Sequence, residues 1–247
     1  MPHVSVINES ALAGDTEIET IARAFNKQWN VDLRPVWGLD SATFEIVPPA
    51  RTPPTGSWWV VFLDDSAHAH KRAYHDLTNE GLPIAKVFVK VIRADKASLS
   101  VGATHEVCEM AVDPWVNNAY QDSRGNFWAG EICDPVEDET YGYRIDGTLV
   151  TDFVTPDWFA PLHASGTVDF KRRARKPFEV LPGGYCQKFD PRKGWVQITG
   201  DAVRHSKQAV AARGTRRERR MRDAASWKRS ALDWGGEARA QRRSQAK

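Results

Sequence analysis

The chain has 247 residues, 41% hydrophobic and 27% charged, ordinary proportions for a globular protein with one large core or two small ones. Its net charge of +2 averages two unlike regions: residues 201–247 hold 14 Lys/Arg against 5 Asp/Glu, so the first 200 residues carry −7. Three cysteines (Cys108, Cys133 and Cys186) argue against a disulfide framework and for a reducing compartment. The start, MPHVSVINES, has neither the basic nor the apolar part of a signal peptide, and no apolar run reaches a membrane span. The expected location is the cytoplasm, or a larger particle, and not a membrane.

In chain order, His3 to Ile7 alternates as a strand. Asp15 to Trp29 places Ile18, Ile21, Ala22, Phe25 and Trp29 at helical spacing, with Asp15 or Thr16 as cap. Leu33–Trp37 and Thr43–Val47 read as strands, and residues 48–56 (PPARTPPTG) as a loop. Ser57–Leu63 is almost continuously apolar, as a central strand would be. Ala85–Arg93 alternates, with Val87, Val89 and Val91 on one face. Val101–Asp113 is a helix. After Pro114 the pattern turns irregular, with short strands near Gly142–Ile145 and Thr148–Phe153 and a basic loop at Lys171–Lys176. The predicted class is α+β: a mixed sheet with an active-site helix, an irregular second half and a basic tail, helical or disordered. The domain spans residues 1–200 and the tail 201–247.

The helix reads ATHEVCEMAVDPW. His105, Glu109 and Asp113 stand at i, i+4 and i+8, so they drift only about 40° per step and line one face. Several carboxylates with no Lys or Arg among them ask for a cation. An HExxH pair holds zinc, and the Glu beside it accepts a proton from a metal-activated water. Here the second histidine is replaced by Glu109, whose oxygens bind zinc at similar distances. A third ligand must come from elsewhere, and Glu131 and Asp134 are the two candidates. One imidazole with carboxylates suits zinc, with manganese or calcium as alternatives. A softer set of His105, Cys108 and Cys133 competes, although small buried cysteines are common core residues.

Several blocks resemble a family of mostly uncharacterised bacterial and phage-encoded zincin-like proteins described as metallopeptidases. The blocks are VSVINES, PVWG at 35–38, AYHD at 73–76, GLPIAKVFVK at 81–90, THEVCEMAVDP at 104–114, EICDPVE at 131–137, VTDFVTPDWF at 150–159 and PGGY at 182–185. The most specific piece pairs HExxExxxDP with a downstream ExxDxxE. The resemblance implies a zincin-like fold over roughly residues 4–200, ligands at His105 and Glu109, and Glu106 as the catalytic base. It also implies ligand or supporting roles for Asp113, Glu131 and Asp134, and admits carriage in a phage particle.

His75, Asp76 and Asp152 are further candidates to orient a ligand or substrate. Tyr141, Tyr143 and His163 are candidates for stabilising an oxyanion. Asp64, Asp65, His68 and His70 form a polar cluster that reads as a loop. The arginine-dense tail, with Trp227 and Trp234, suits nucleic acid or an acidic protein surface. The leading expectation is therefore a metallopeptidase acting on a peptide or protein, with residues 85–93 as the cleft edge. Its rival is a catalytically inactive binding or assembly module, with a structural metal or none and a tail that docks on a neighbour.

Overall fold

A computed structural model describes residues 1–48, 51–65, 72–160 and 167–200. His68, His70, His163 and the tail, with Trp227 and Trp234, lie outside the described residues. No helix among the described residues is long and apolar enough to cross a membrane.

The first half is a five-stranded mixed sheet. Strands β1 (His3–Asn8), β2 (Thr43–Val47), β3 (Trp58–Leu63), β4 (Ala73–Leu77) and β5 (Pro83–Phe88) stand in the order β2-β1-β3-β5-β4. All neighbours are parallel except β4, which runs antiparallel to β5 at the edge. The predicted strands β1, β2 and β3 are present, and β3 is central. Val4, Val6, Val60, Phe62, Ala85 and Val87 face the main core, while Ile7, Val61 and Ile84 alternate onto the other face. A turn ending at Gly81, whose φ of 77° suits a residue without Cβ, joins β4 to β5.

Helix α1 (Asp15–Lys27) buries Ile18, Ile21, Ala22 and Phe25, the predicted stripe. Its cap is Gly14 rather than Asp15 or Thr16; the Asp15 carboxylate instead accepts a hydrogen bond from Asn8. The chain stays helical through a π stretch (Gln28–Leu33) into α2 (Arg34–Trp37), which corrects the strand expected at Leu33–Trp37. Pro35 sits in the first turn of α2, where no N–H is required, and Gly38 ends it in the left-handed conformation. The valine, leucine and tryptophan content suggested a strand, but these side chains can equally cover the helix side of a sheet.

The strand expected over Ala85–Arg93 is divided. Its first part is β5, and Val89–Ala94 forms helix α3, burying Val89 and Ile92 at helical spacing. Because β5 pairs with β3 on one side and β4 on the other, residues 85–88 are inside the sheet and its edge belongs to β4. Helix α4 (Leu99–Val112) then packs across β4 and β5. Every residue of α4 except Gly102 is buried, because the second half of the chain covers its other side. That half contains β6 (Ala119–Gln121), β7 (Phe127–Ala129), the hairpin β8 (Tyr143–Ile145) and β9 (Thr148–Val150), and the paired strands β10 (Tyr185–Asp190) and β11 (Gly194–Thr199). Strands β11-β10-β7-β6 make a second, antiparallel sheet.

Candidate metal centre

A helix buried on all sides should be apolar, yet α4 carries His105, Glu106 and Glu109 into the interior. Burying a carboxylate is costly unless a counter-charge or hydrogen bonds accompany it. Helical spacing turns His105 and Glu109 to the same side. Strand β4 supplies His75, whose neighbours Tyr74 and Asp76 alternate away from it. The segment 130–136, threaded between α4 and β10, supplies Glu131 and Asp134. Hydrogen bonds from Val154 N–H to Ile132 O and from Leu181 N–H to Pro135 O fix that segment in place.

The side chains converge. His105 Nε2 lies 3.2 Å from Glu109 Oε1 and 3.2 Å from Asp134 Oδ1. His75 Nδ1 lies 3.3 Å from Glu106 Oε2 and 3.6 Å from Glu109 Oε2, and its Nε2 lies 3.6 Å from Glu131 Oε2. Glu109 Oε1 also accepts the Cys133 N–H at 3.2 Å. One N–H points at one acceptor, whereas His105 Nε2 has two carboxylate oxygens at equal distance. Two donors on a tetrahedral ion with bonds of ~2.0–2.1 Å stand about 3.3–3.4 Å apart. The spacing thus fits three donors around a common centre, and the donor types fit a divalent metal. Two such triads form, His105–Glu109–Asp134 and His75–Glu109–Glu131.

The protonation balance follows from the same crowding. Burial pulls the His105 pKa down, but Glu109, Asp134 and Glu106 raise it well above the usual value. His75 is also raised: burial opposes its charge, and Glu131, Glu106 and Glu109 outweigh burial. Burial, with Asp134 nearby, raises Glu109. Burial pushes Asp134 to about 7 against the lowering effect of His105. Without an ion, protons hold these groups together; a bound metal replaces protons in that role.

Both sequence candidates for the third ligand stand in a group with Glu109. Asp134 joins His105, and Glu131 joins His75. His75, expected at most to orient a ligand, offers a donor of its own. Asp113 does not extend the ligand face. The helix ends at Val112, and Asp113 Oδ1 accepts the N–H groups of Asn117 and Asn118, which accounts for an acid at a helix C-terminus. Asp76 accepts the Leu77 N–H. Asp152 is buried beside Asp169 and belongs to neither triad. Cys108 and Cys133 are free thiols within the apolar core, and burial raises Cys133 well above an ordinary thiol, which disfavours the thiolate a zinc ligand needs. Tyr141 donates to Pro182 O and Tyr143 to Asp32, so both hydroxyls serve the scaffold. Asp64 accepts from Ser10 and from the N–H groups of Ala11 and Leu12, as a loop residue.

Two residues at the centre escaped the sequence reading. Tyr185 on β10 stands beside Asp134, and burial together with Asp134, Glu137 and Glu109 pushes its phenol well above the usual pKa. Glu137, half-buried, is raised by burial against the lowering effect of His105 and Arg72, with Glu109 and Glu106 raising it further. Glu137 is the last acid of the ExxDxxE motif, so its spacing was a usable signal; for Tyr185 there was none.

Gly184, just before Tyr185, presses on the turn that carries Asp134. An added Cβ would lie 2.5 Å from Pro135 O and 2.7 Å from Asp134 O, both backbone atoms that cannot swing aside. Gly184→Ala is therefore expected to cost about 1–3 kcal/mol in a urea melt, by overpacking. An ion held through Asp134 would also bind about 10–100-fold more weakly in chelator competition, as when supporting groups are displaced. Unchanged affinity would mean that the turn does not set the Asp134 position.

The His105 and Glu106 side chains each keep 10% of their surface exposed, against 1% for His75. Compared with models of known protein families, with curated proteins and with solved structures, the chain gives no match.

Proposed function

We propose that this chain is a metal-dependent hydrolase, best read as a peptidase of zincin-like type. The observation that carries the reading is the pair of carboxylate oxygens, from Glu109 and Asp134, both 3.2 Å from His105 Nε2 inside a buried helix packing. Imidazole donors favour zinc or manganese over calcium, which takes oxygen ligands. A divalent ion in such a set polarises a carbonyl and makes water a nucleophile near neutral pH. His105, Glu109 and Asp134 hold and orient; Glu131 and His75 complete the surroundings. Glu106, next to His105 on the more open side, accepts the proton of the attacking water. The Tyr185 phenol is a donor at the same centre, suited to a developing oxyanion.

The edge strand β4 supports a peptide substrate. An extended chain laid beside β4 would gain main-chain hydrogen bonds and pass close to the face that His75 lines. A mixed sheet with its acidic helix beneath an antiparallel edge strand also agrees with the zincin-like resemblance. The +9 balance of residues 201–247 supports a second reading, an assembly module whose basic tail docks on nucleic acid or a neighbouring subunit.

Elemental mass spectrometry of the purified full chain tests the first reading, beside hydrolysis of an unfolded protein with and without chelator. Zinc or manganese at stoichiometric levels, lost in His105→Ala, with chelator-sensitive hydrolysis, is the expected result. A chain that takes up neither metal, even after incubation with zinc, would sink the hydrolase reading. Metal without turnover would favour the assembly module.

A further inference from the structure

We propose that the centre is built for two divalent cations, with the Glu109 carboxylate bridging them. The inference rests on the metal reading above and adds the second site and the bridge. The two oxygens of Glu109 face different imidazoles: Oε1 lies 3.2 Å from His105 Nε2, and Oε2 lies 3.6 Å from His75 Nδ1. Apart from Glu109 the two triads share no residue, and the five residues do not merge into one donor set. Each triad has one imidazole and one further carboxylate, so each is a complete three-protein-ligand set in its own right. A carboxylate binding through both oxygens suits metal pairs, whose ions stand about 3.5–4 Å apart.

Charge points the same way. Four buried carboxylates, Glu106, Glu109, Glu131 and Asp134, interact with His75 or His105. One divalent ion beside two neutral imidazoles leaves two negative charges uncompensated in a buried space; two ions leave none. The second imidazole is also prepared for ligation. With Nε2 on the ion beside Glu131, Nδ1 keeps the Glu106 carboxylate to receive its proton. Such a partner fixes the ring and its tautomer. Of the two ions, the one at His75 would lie deeper, since that side chain keeps 1% of its surface exposed against 10% for His105.

The test is the stoichiometry of the metal-stripped full chain titrated with Mn²⁺, read by native mass spectrometry and by electron paramagnetic resonance. Two ions per chain and an exchange-coupled spectrum are expected. His75→Ala should bind one ion and give an uncoupled spectrum. Glu131→Gln, which keeps the side-chain volume if His75→Ala does not fold, should do the same. A wild type that saturates at one Mn²⁺ overturns the pair and leaves the single-ion reading standing. Two ions with no coupling overturn the bridge. A chain that binds no Mn²⁺ or Zn²⁺ overturns both readings.

Discussion

Replacing Glu106 with glutamine is expected to lower the hydrolytic rate by about 10²–10⁴-fold, the usual contribution of a general base, with metal content unchanged. The substitution separates roles that a larger change would mix. Glutamine has the same length, so its amide oxygen can still accept the hydrogen bond that His75 Nδ1 makes to Glu106 Oε2 at 3.3 Å. The packing of α4 on β4 is thereby kept. What is lost is the capacity to take a proton. The measurement is turnover of an unfolded protein or a fluorogenic peptide panel, alongside elemental mass spectrometry of the same preparation. Turnover within a few-fold of wild type would remove Glu106 from catalysis. Loss of metal together with turnover would make Glu106 a ligand instead, filling a further position on the ion at His75. Glu109→Gln should behave differently, because Glu109 is shared by both triads. Its first effect is on metal, and turnover falls as a consequence.

The two residues differ by only three positions in one helix, and that is where the sequence was most legible. Helical geometry is local, so the shared side of His105 and Glu109 follows from their spacing. A cluster of acids without Lys or Arg asked for a cation whatever the rest of the chain did. The partners that close the centre are not local. Glu131 and Asp134 are three residues apart and were both plausible third ligands; they reach Glu109 with different imidazoles, Glu131 with His75 and Asp134 with His105. His75 was visible as a polar residue, but its meaning depends on β4 being a strand. The alternation Ala73, His75, Leu77 against Tyr74, Asp76, followed by a Gly81 turn, was the available signal. It is short, and a histidine and an aspartate weaken it. Tyr185 comes from a strand 80 residues beyond His105, and only the packing of β10 against the 134–136 turn brings it in. The Leu33–Trp37 and Val89–Ala94 segments failed for a related reason: β-branched and aromatic side chains suit any half-buried surface, and tertiary context decides which.

Asp152 leads to a prediction about stability that needs no metal. Its Oδ1 accepts the N–H groups of Phe153 and Lys171, and its carboxyl group stands beside that of Asp169. Asp169 in turn accepts the N–H groups of Arg173 and Ala174, tying down the basic loop. Burial, and then Asp169, pushes the Asp152 pKa up to about 9, so the folded pair holds a proton at neutral pH. In the unfolded chain Asp152 gives up that proton near pH 4. Between those limits the folded state binds more protons than the unfolded state, and the pair therefore costs stability as pH rises. The slope for one proton is about 1.4 kcal/mol per pH unit at most. Asp152→Asn supplies a permanent N–H donor to Asp169, keeps the Oδ1 acceptor and has nothing to titrate. The variant should match wild type near pH 4 and gain on it steadily, by up to about 4 kcal/mol between pH 5 and pH 8. Urea denaturation of both proteins across that range, in chelator so that the metal centre contributes equally, measures the difference. A difference that stays flat with pH would mean that the pair is ionised in the folded state. The gain should leave metal stoichiometry untouched, because Asp152 lies outside both triads. A change in metal content would instead give Asp152 the ligand-orienting role that its sequence position suggested.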